Sequence, residues 1–297
     1  MLCLVNGFKV AHRVLKLYWP IPGHEDITAS LLKRAYDSGY NVLVVTADTM
    51  AFGWRPADLD TAYSPFVFGE GCEIGFSDPA FKAHYARLKA SAPRRSAWSS
   101  IRKLFAIVRR PSSWRIKCKL FWSIITGRTP MALAWLDLVT CGVYRIWDDL
   151  TLLRSLWPGK IVLKGVQTVG DARMAIEHGL DGIIISNHGG RQVDGAMASL
   201  DALAEISADK KVQESGIALL FDSGVRTGSD VLKAIALGAH AVLIGRPYIY
   251  GLALEGQKGI EHVFKSILAE LDTTLGLMGK RSIGELGRDD IQVVPAS

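Results

Sequence analysis

Short runs of branched apolar residues recur along the chain, each bounded by glycine or polar residues and separated by stretches of helical periodicity. Val42-Leu43-Val44-Val45, Ile161-Val162-Leu163, Ile183-Ile184-Ile185, Ala218-Leu219-Leu220-Phe221 and Ala241-Val242-Leu243-Ile244 read as buried strands. The stretch Asp171 to His178 carries a helical pattern that ends at Gly179, and Ser229 to Leu237 carries another that ends at Gly238. Glycine at that position accepts the left-handed conformation that closes many helices. Apart from the gap between Val42 and Ile161, successive strand starts lie about 22 to 36 residues apart, which suits strand–helix units joined into a parallel sheet.

A parallel α/β chain either closes into a barrel or spreads as an open doubly wound sheet. No G-x-G-x-x-G opens a helix after a strand, so the dinucleotide fingerprint of the open sheet is missing. Polar residues instead gather just after the strands: Asp48, Lys164, His188, Asp222, Arg226 and Arg246. Strand ends converge on one face of a barrel, where its chemistry is placed. The expected fold is therefore a TIM (β/α)8-type barrel. It forms a single domain over residues 1–297, interrupted by a basic insertion or lid at about 79–140.

Composition narrows the function classes. The chain has 297 residues, 49% apolar and 22% charged, enough to bury a sizeable core. Its apolar runs are shorter than a membrane span, and the apolar start Met1 to Val5 is too short for a secretory signal. A cytoplasmic location is expected. Cys3, Cys72, Cys118 and Cys141 lack metal-ligand spacing, so free thiols and no metal are expected.

Net charge is +6, but thirteen basic residues and no acidic ones lie between Pro79 and Leu136, so the remainder is net acidic. A basic isoelectric point of this local origin does not indicate nucleic-acid binding. Within that segment, Ile101 to Arg110 and Lys117 to Ile125 interleave cations with aromatic and aliphatic residues. Two readings stand: an amphipathic membrane-surface element, or a lid with a solvated basic face, which loop statistics favour.

Two turns after consecutive strands suggest a phosphate site. Asp222-Ser223-Gly224-Val225-Arg226-Thr227-Gly228 follows one strand and Gly245-Arg246 the next. Small residues let backbone N–H groups approach an anion, each Arg adds charge, and the loops after the last two strands commonly bind phosphate in this fold. Either turn alone would suit a tight connection with a surface Arg. The segment Ser186-Asn187-His188-Gly189-Gly190-Arg191-Gln192 is harder to explain by packing. Its His suits general-base work near neutral pH, its glycines admit a ligand, and its Arg suits a carboxylate. Asp48 would orient such a His, or else cap the next helix. Arg55 reads as a second carboxylate ligand or a surface Arg. Lys164 reads as a partner for an anion in the barrel mouth, or as a snorkelling side chain.

These residues resemble the FMN-dependent 2-hydroxy-acid oxidases and dehydrogenases. Leu17-Tyr18-Trp19-Pro20 and Trp54-Arg55-Pro56-Ala57-Asp58-Leu59 are most similar to lactate 2-monooxygenase-like members. The resemblance implies FMN as cofactor and oxidation of a short, lactate-like L-2-hydroxy acid at C2. It implies His188 as base, Asp48 as its partner, and Tyr18 at the substrate oxygen. Arg55 and Arg191 would hold the substrate carboxylate. Thr46, Lys164 and Ser186 would hold the flavin ring, and Asp222, Gly224, Arg226, Gly245 and Arg246 its phosphate end. Oxygen or another electron acceptor, and a homo-oligomer, are the partners it admits.

Lys16 stands where the family places a Gln. The family domain also carries a helical region and two more strands ahead of this point. Six strands are recognisable here, beginning near Lys16. A barrel truncated at its N-terminus is therefore expected, with a catalytically impaired or non-catalytic remnant of the family as the alternative reading.

Overall fold

The computed structural model describes residues 2–5, 13–61, 64–91, 114–140 and 142–293. They divide into two compact units. The first comprises Met1–Leu17, Gly39–Thr49 and Ile146–Ser297, and the second Tyr18–Ser38 and Met50–Arg145.

The first unit is built on one sheet. Its strands are β1 (Leu2–Val5), β2 (Val14–Leu17), β3 (Val42–Thr46), β4 (Lys160–Val166), β5 (Gly182–Ile185), β6 (Ala218–Phe221) and β7 (Ala241–Ile244), in spatial order β1-β7-β6-β5-β4-β3-β2. β2 to β7 pair in parallel with sequential neighbours, as the strand–helix alternation requires. These are the six expected strands of an α/β-barrel-type fold. β1 adds to them, pairing antiparallel with β7. An apolar run of four residues carries no periodicity from which that pairing could be read.

Each central strand is followed by a helix. The segment after β4 forms a helix over Val169–Glu177, capped by the Thr168 hydroxyl on the Asp171 N–H. The one after β6 spans Gly228–Ala236, with a reciprocal capping box between Thr227 and Asp230. Both stop where the sequence places a glycine with positive φ, Gly179 and Gly238.

Side chains alternate across a strand with period two. Val44, Val162, Ile184 and Leu243 form one buried apolar cluster, with Val42 and Leu220 packed against it. Two residues further along β3, β4, β5, β6 and β7 stand Thr46, Lys164, Ser186, Asp222 and Gly245. These residues form the next layer of the same sheet face, at the carboxyl side of the strands, and include Lys164 and Asp222 of the polar set expected from the sequence.

The second unit is helical. It contains α1 (Glu25–Asp37), α2 (Pro56–Asp60), α3 (Glu73–Ser77), α4 (Pro79–Ser91), α5 (Trp114–Ile125) and α6 (Arg128–Val139). Buried Asp78 organises part of it: its carboxylate accepts from Ser30 Oγ at 2.7 Å, Arg34 at 3.1 Å and the Phe81 N–H at 3.0 Å. Phe81 packs edge-on against Trp135 at 5.1 Å between centroids. The expected basic insertion falls within this unit. Its Ile101–Arg110 stretch lies outside the described residues, as does Cys141. Cys72 is buried and Cys118 exposed, and both are free thiols.

Candidate active site

The site centres on Lys164, which is 3% exposed within the carboxyl half of β4. Its ammonium donates to Asp48 Oδ2 at 2.6 Å and to Ser186 Oγ at 2.9 Å, and lies 3.8 Å from Asp222 Oδ2. A buried cation is costly unless paired in this way. Asp48 approaches because residue 165 is glycine. A Cβ there would meet Asp48 Cβ at 2.7 Å, and Gly165 has φ +103°. The other Asp48 oxygen, Oδ1, accepts from His188 Nδ1 at 2.8 Å and from the Thr49 hydroxyl at 2.9 Å. Burial works to raise the Asp48 pKa, but the hydrogen bond from His188 and the charge of Lys164 outweigh it and hold the carboxyl below its usual range. Asp48 is ionised, so it can only accept. The His188 Nδ1 that faces it therefore carries a proton.

His188 stands in a strained loop. Its φ is +58°, in a region that residues with a side chain avoid, and Gly189 and Gly190 continue at +68° and +70°. Several bonds fix this left-handed turn. The Gly189 N–H donates to Ser223 Oγ at 2.9 Å, and Arg246 donates to the Gly189 carbonyl at 2.8 Å. The Asn187 N–H donates to Ser199 Oγ, and Gln192 Nε2 donates to the Asp48 carbonyl at 2.7 Å. Such strain persists only where the surroundings over-determine it, and it concentrates at functional sites.

The two expected phosphate turns follow β6 and β7. Gly224 has φ +80° with open space where a Cβ would stand, and Gly245 is equally open. Arg226 and Arg246 are exposed beside them. Thr46 Oγ1, at the end of β3, is buried and has no hydrogen-bond partner. Buried hydroxyls are seldom left so. Arg191 is exposed at the far end of the His188 loop.

The first unit thus brings together Thr46, Asp48, Lys164, Ser186, His188 and Asp222. Tyr18 and Arg55 belong to the second unit, where Tyr18 is 36% exposed and the Arg55 guanidinium lies 5.4 Å from the Phe52 ring centroid. Thr49 and Ser223 escaped the sequence reading. Each stands next to a residue that was singled out, but a lone hydroxyl beside an Asp carries no distinguishing signal. Among the described residues no cluster of His, Cys, Asp or Glu could hold a metal ion.

Parallel strands ending in a Lys–Asp–His network, beside two glycine–arginine turns, define an α/β-barrel protein fitted to a phosphate-bearing cofactor. The chain belongs to the FMN-dependent dehydrogenase family, whose model matches residues 5–293. It is 43% identical over 284 residues to an FMN-dependent alpha-hydroxy acid dehydrogenase of Schizosaccharomyces pombe, covering 93% of this chain and 61% of that protein. It is 37% identical to an L-lactate oxidase of Lysinibacillus sphaericus, covering 92% and 59%. Among solved structures, a mandelate oxidase mutant with (S)-mandelic acid superposes with a TM-score of 0.63 at 28% identity, covering 94% of this chain and 62% of that one. The chain spans about three-fifths of the length of these relatives.

FMN is the family's cofactor, and this site suits it. The orphaned Thr46 hydroxyl and the buried Lys164 ammonium offer donors to a polar ring edge. The open glycines with Arg226 and Arg246 suit a phosphate.

Proposed function

We propose that this chain oxidises a short-chain L-2-hydroxy acid of lactate type at C2, with His188 as the base. The carrying observation is the 2.8 Å bond between His188 Nδ1 and ionised Asp48, which leaves Nε2 free to take a proton. Bound FMN would accept the two electrons and the second of the two hydrogens that the substrate loses. As the C2 hydroxyl becomes a carbonyl, His188 Nε2 receives a proton. Asp48 then faces an imidazolium that it stabilises by charge. Arg191 and Arg55 hold the substrate carboxylate and Tyr18 contacts the substrate oxygen. Lys164 and Ser186, with Thr46, hold the ring edge. Asp222, Gly224, Arg226, Gly245 and Arg246 hold the phosphate end. Oxygen or another acceptor would be the final destination of the electrons. Related chains named for lactate and for mandelate support the substrate class. L-lactate added to the flavin-loaded protein without oxygen should bleach the flavin absorption. Flavin that stays bound but is bleached by no 2-hydroxy acid would assign the chain a binding role instead.

We also infer a contact of α5 with an anionic membrane surface. Trp114, Trp122 and Ile125 are 77%, 67% and 62% exposed, whereas Ser123 is buried and bonded to the Phe68 carbonyl and the Thr129 hydroxyl. The helix thus presents aromatic residues outward, with Arg115 and Lys117 on the same element. Basic helices with an exposed apolar face bind anionic lipid. Glu70 and Glu73 pair with Lys119 and Arg128. Among the described residues no helix is long and apolar enough to cross a membrane.

A further inference from the structure

Asp48 Oδ1 is met by two donors, and only one of them is the imidazole. The second is Thr49, a residue 5% exposed just past the end of β3. Its Oγ1 lies 2.9 Å from Asp48 Oδ1 and 3.2 Å from His188 Nδ1. A threonine hydroxyl has one hydrogen. The ionised carboxylate can only accept and Nδ1 already carries its own proton, so that hydrogen goes to Asp48. The lone pairs of Oγ1 then face the Nδ1 proton, closing a small ring of carboxylate, hydroxyl and imidazole. Lys164 holds the opposite carboxylate oxygen at 2.6 Å. With donors fixed at both ends, the carboxylate plane cannot turn about its bond to the chain.

We propose that Thr49 is a positioning residue for His188, holding the imidazole in one ring orientation through Asp48 and through its own oxygen. The loop makes such a hold necessary. His188 sits at φ +58° and is followed by two glycines, so its backbone gives the ring little lateral support. The contacts that fix this turn, from Ser223, Arg246, Ser199 and Gln192, all end on backbone atoms. The ring itself is held by Asp48 and Thr49. Replacing the hydroxyl by a methyl group removes one donor from a buried carboxylate and one acceptor from the ring. A single hydrogen bond of this kind corresponds to about tenfold in rate where its geometry is needed only during the chemical step.

The proposal rests on His188 as the base, and its test separates the two. Flavin reduction by L-lactate without oxygen is followed in the parent protein and in Thr49→Val, Thr49→Ser and His188→Gln. The imidazole Nδ1–H resonance is recorded by proton NMR in the same proteins, with His188→Gln identifying it. Thr49→Val should bind FMN as the parent does and keep its half-saturating lactate concentration within about twofold, while the limiting reduction rate falls about tenfold. Thr49→Ser, which keeps the hydroxyl, should recover the rate to within about threefold of the parent. The Nδ1–H signal should be sharp in the parent and in Thr49→Ser, and broadened by exchange with water in Thr49→Val. A parental rate in Thr49→Val, or equal losses in Thr49→Val and Thr49→Ser, would overturn the assignment. If His188→Gln reduces at the parental rate, or the parent is not reduced at all, the base reading fails. The resonance then decides for Thr49 alone, and an unchanged signal in Thr49→Val overturns it.

Discussion

Gly165→Ala isolates the approach on which the site depends. Gly165 occupies φ +103°, which a residue with a side chain adopts at a cost of about 1–3 kcal/mol. An added Cβ would also meet Asp48 Cβ at 2.7 Å, Asp48 Cγ at 3.1 Å and the Asp48 backbone nitrogen at 3.1 Å. None of these atoms is the tip of a flexible side chain, so relief requires β3 and β4 to part at their ends. Overpacking of this kind costs about 1–3 kcal/mol. The two contributions together amount to about 2–6 kcal/mol. The assay is equilibrium denaturation by urea, run on the parent, Gly165→Ala, Asp48→Gly and the double variant. Asp48→Gly removes the Cβ and carboxylate that the new methyl group strikes. In that background the Gly165→Ala penalty should shrink to about 1–3 kcal/mol, the backbone contribution, as the side-chain clash is relieved. A penalty below about 0.5 kcal/mol in the parent background would refute the reasoning, because it falls within what a neutral surface change produces. An unreduced penalty in the Asp48→Gly background would refute the claim that Asp48 is the obstacle.

Asp48 has its folded pKa held below the ordinary value of 3.8, so its ionic contacts contribute stability that is full above that pH and lost as pH falls below it. Denaturation between about pH 6 and pH 2 should therefore show a steeper acid-side loss in the parent than in Asp48→Asn, and equal slopes would contradict the pairing. Arg246→Ala should weaken FMN binding about ten- to hundredfold in a fluorescence titration, since it removes a charged donor from the phosphate turn and the Gly189 carbonyl bond. Unchanged binding would remove Arg246 from that turn's function. The protein should co-sediment with vesicles containing phosphatidylserine at low salt and less so at high salt, and Trp122→Glu should reduce the bound fraction severalfold. Equal sedimentation of parent and variant would exclude α5 as the contact.

Much of the first unit was legible because buried parallel strands write themselves as apolar runs. Val42–Thr46, Ile183–Ile185 and Ala241–Ile244 have few other readings once helices with glycine stops lie between them. The site was legible for a related reason. Asp48, Lys164, His188 and Asp222 follow apolar runs closely and so mark the strand ends, whereas Thr46 and Ser186 were assigned only through the family resemblance. The pairing of β1 against β7 was not legible, since a four-residue strand has no pattern of its own. Nor was the role of Thr49, whose meaning depends on a histidine 139 residues away. In the second unit, buried Asp78 looked like any other Asp ahead of a helix. Its contacts to Ser30 and Arg34 come from an element more than forty residues earlier.

The most direct test of the account is reduction of the bound flavin by L-lactate without oxygen, in the parent and in His188→Gln. The account predicts that the parent bleaches and that His188→Gln retains flavin but does not bleach. Bleaching of His188→Gln at the parental rate would contradict it.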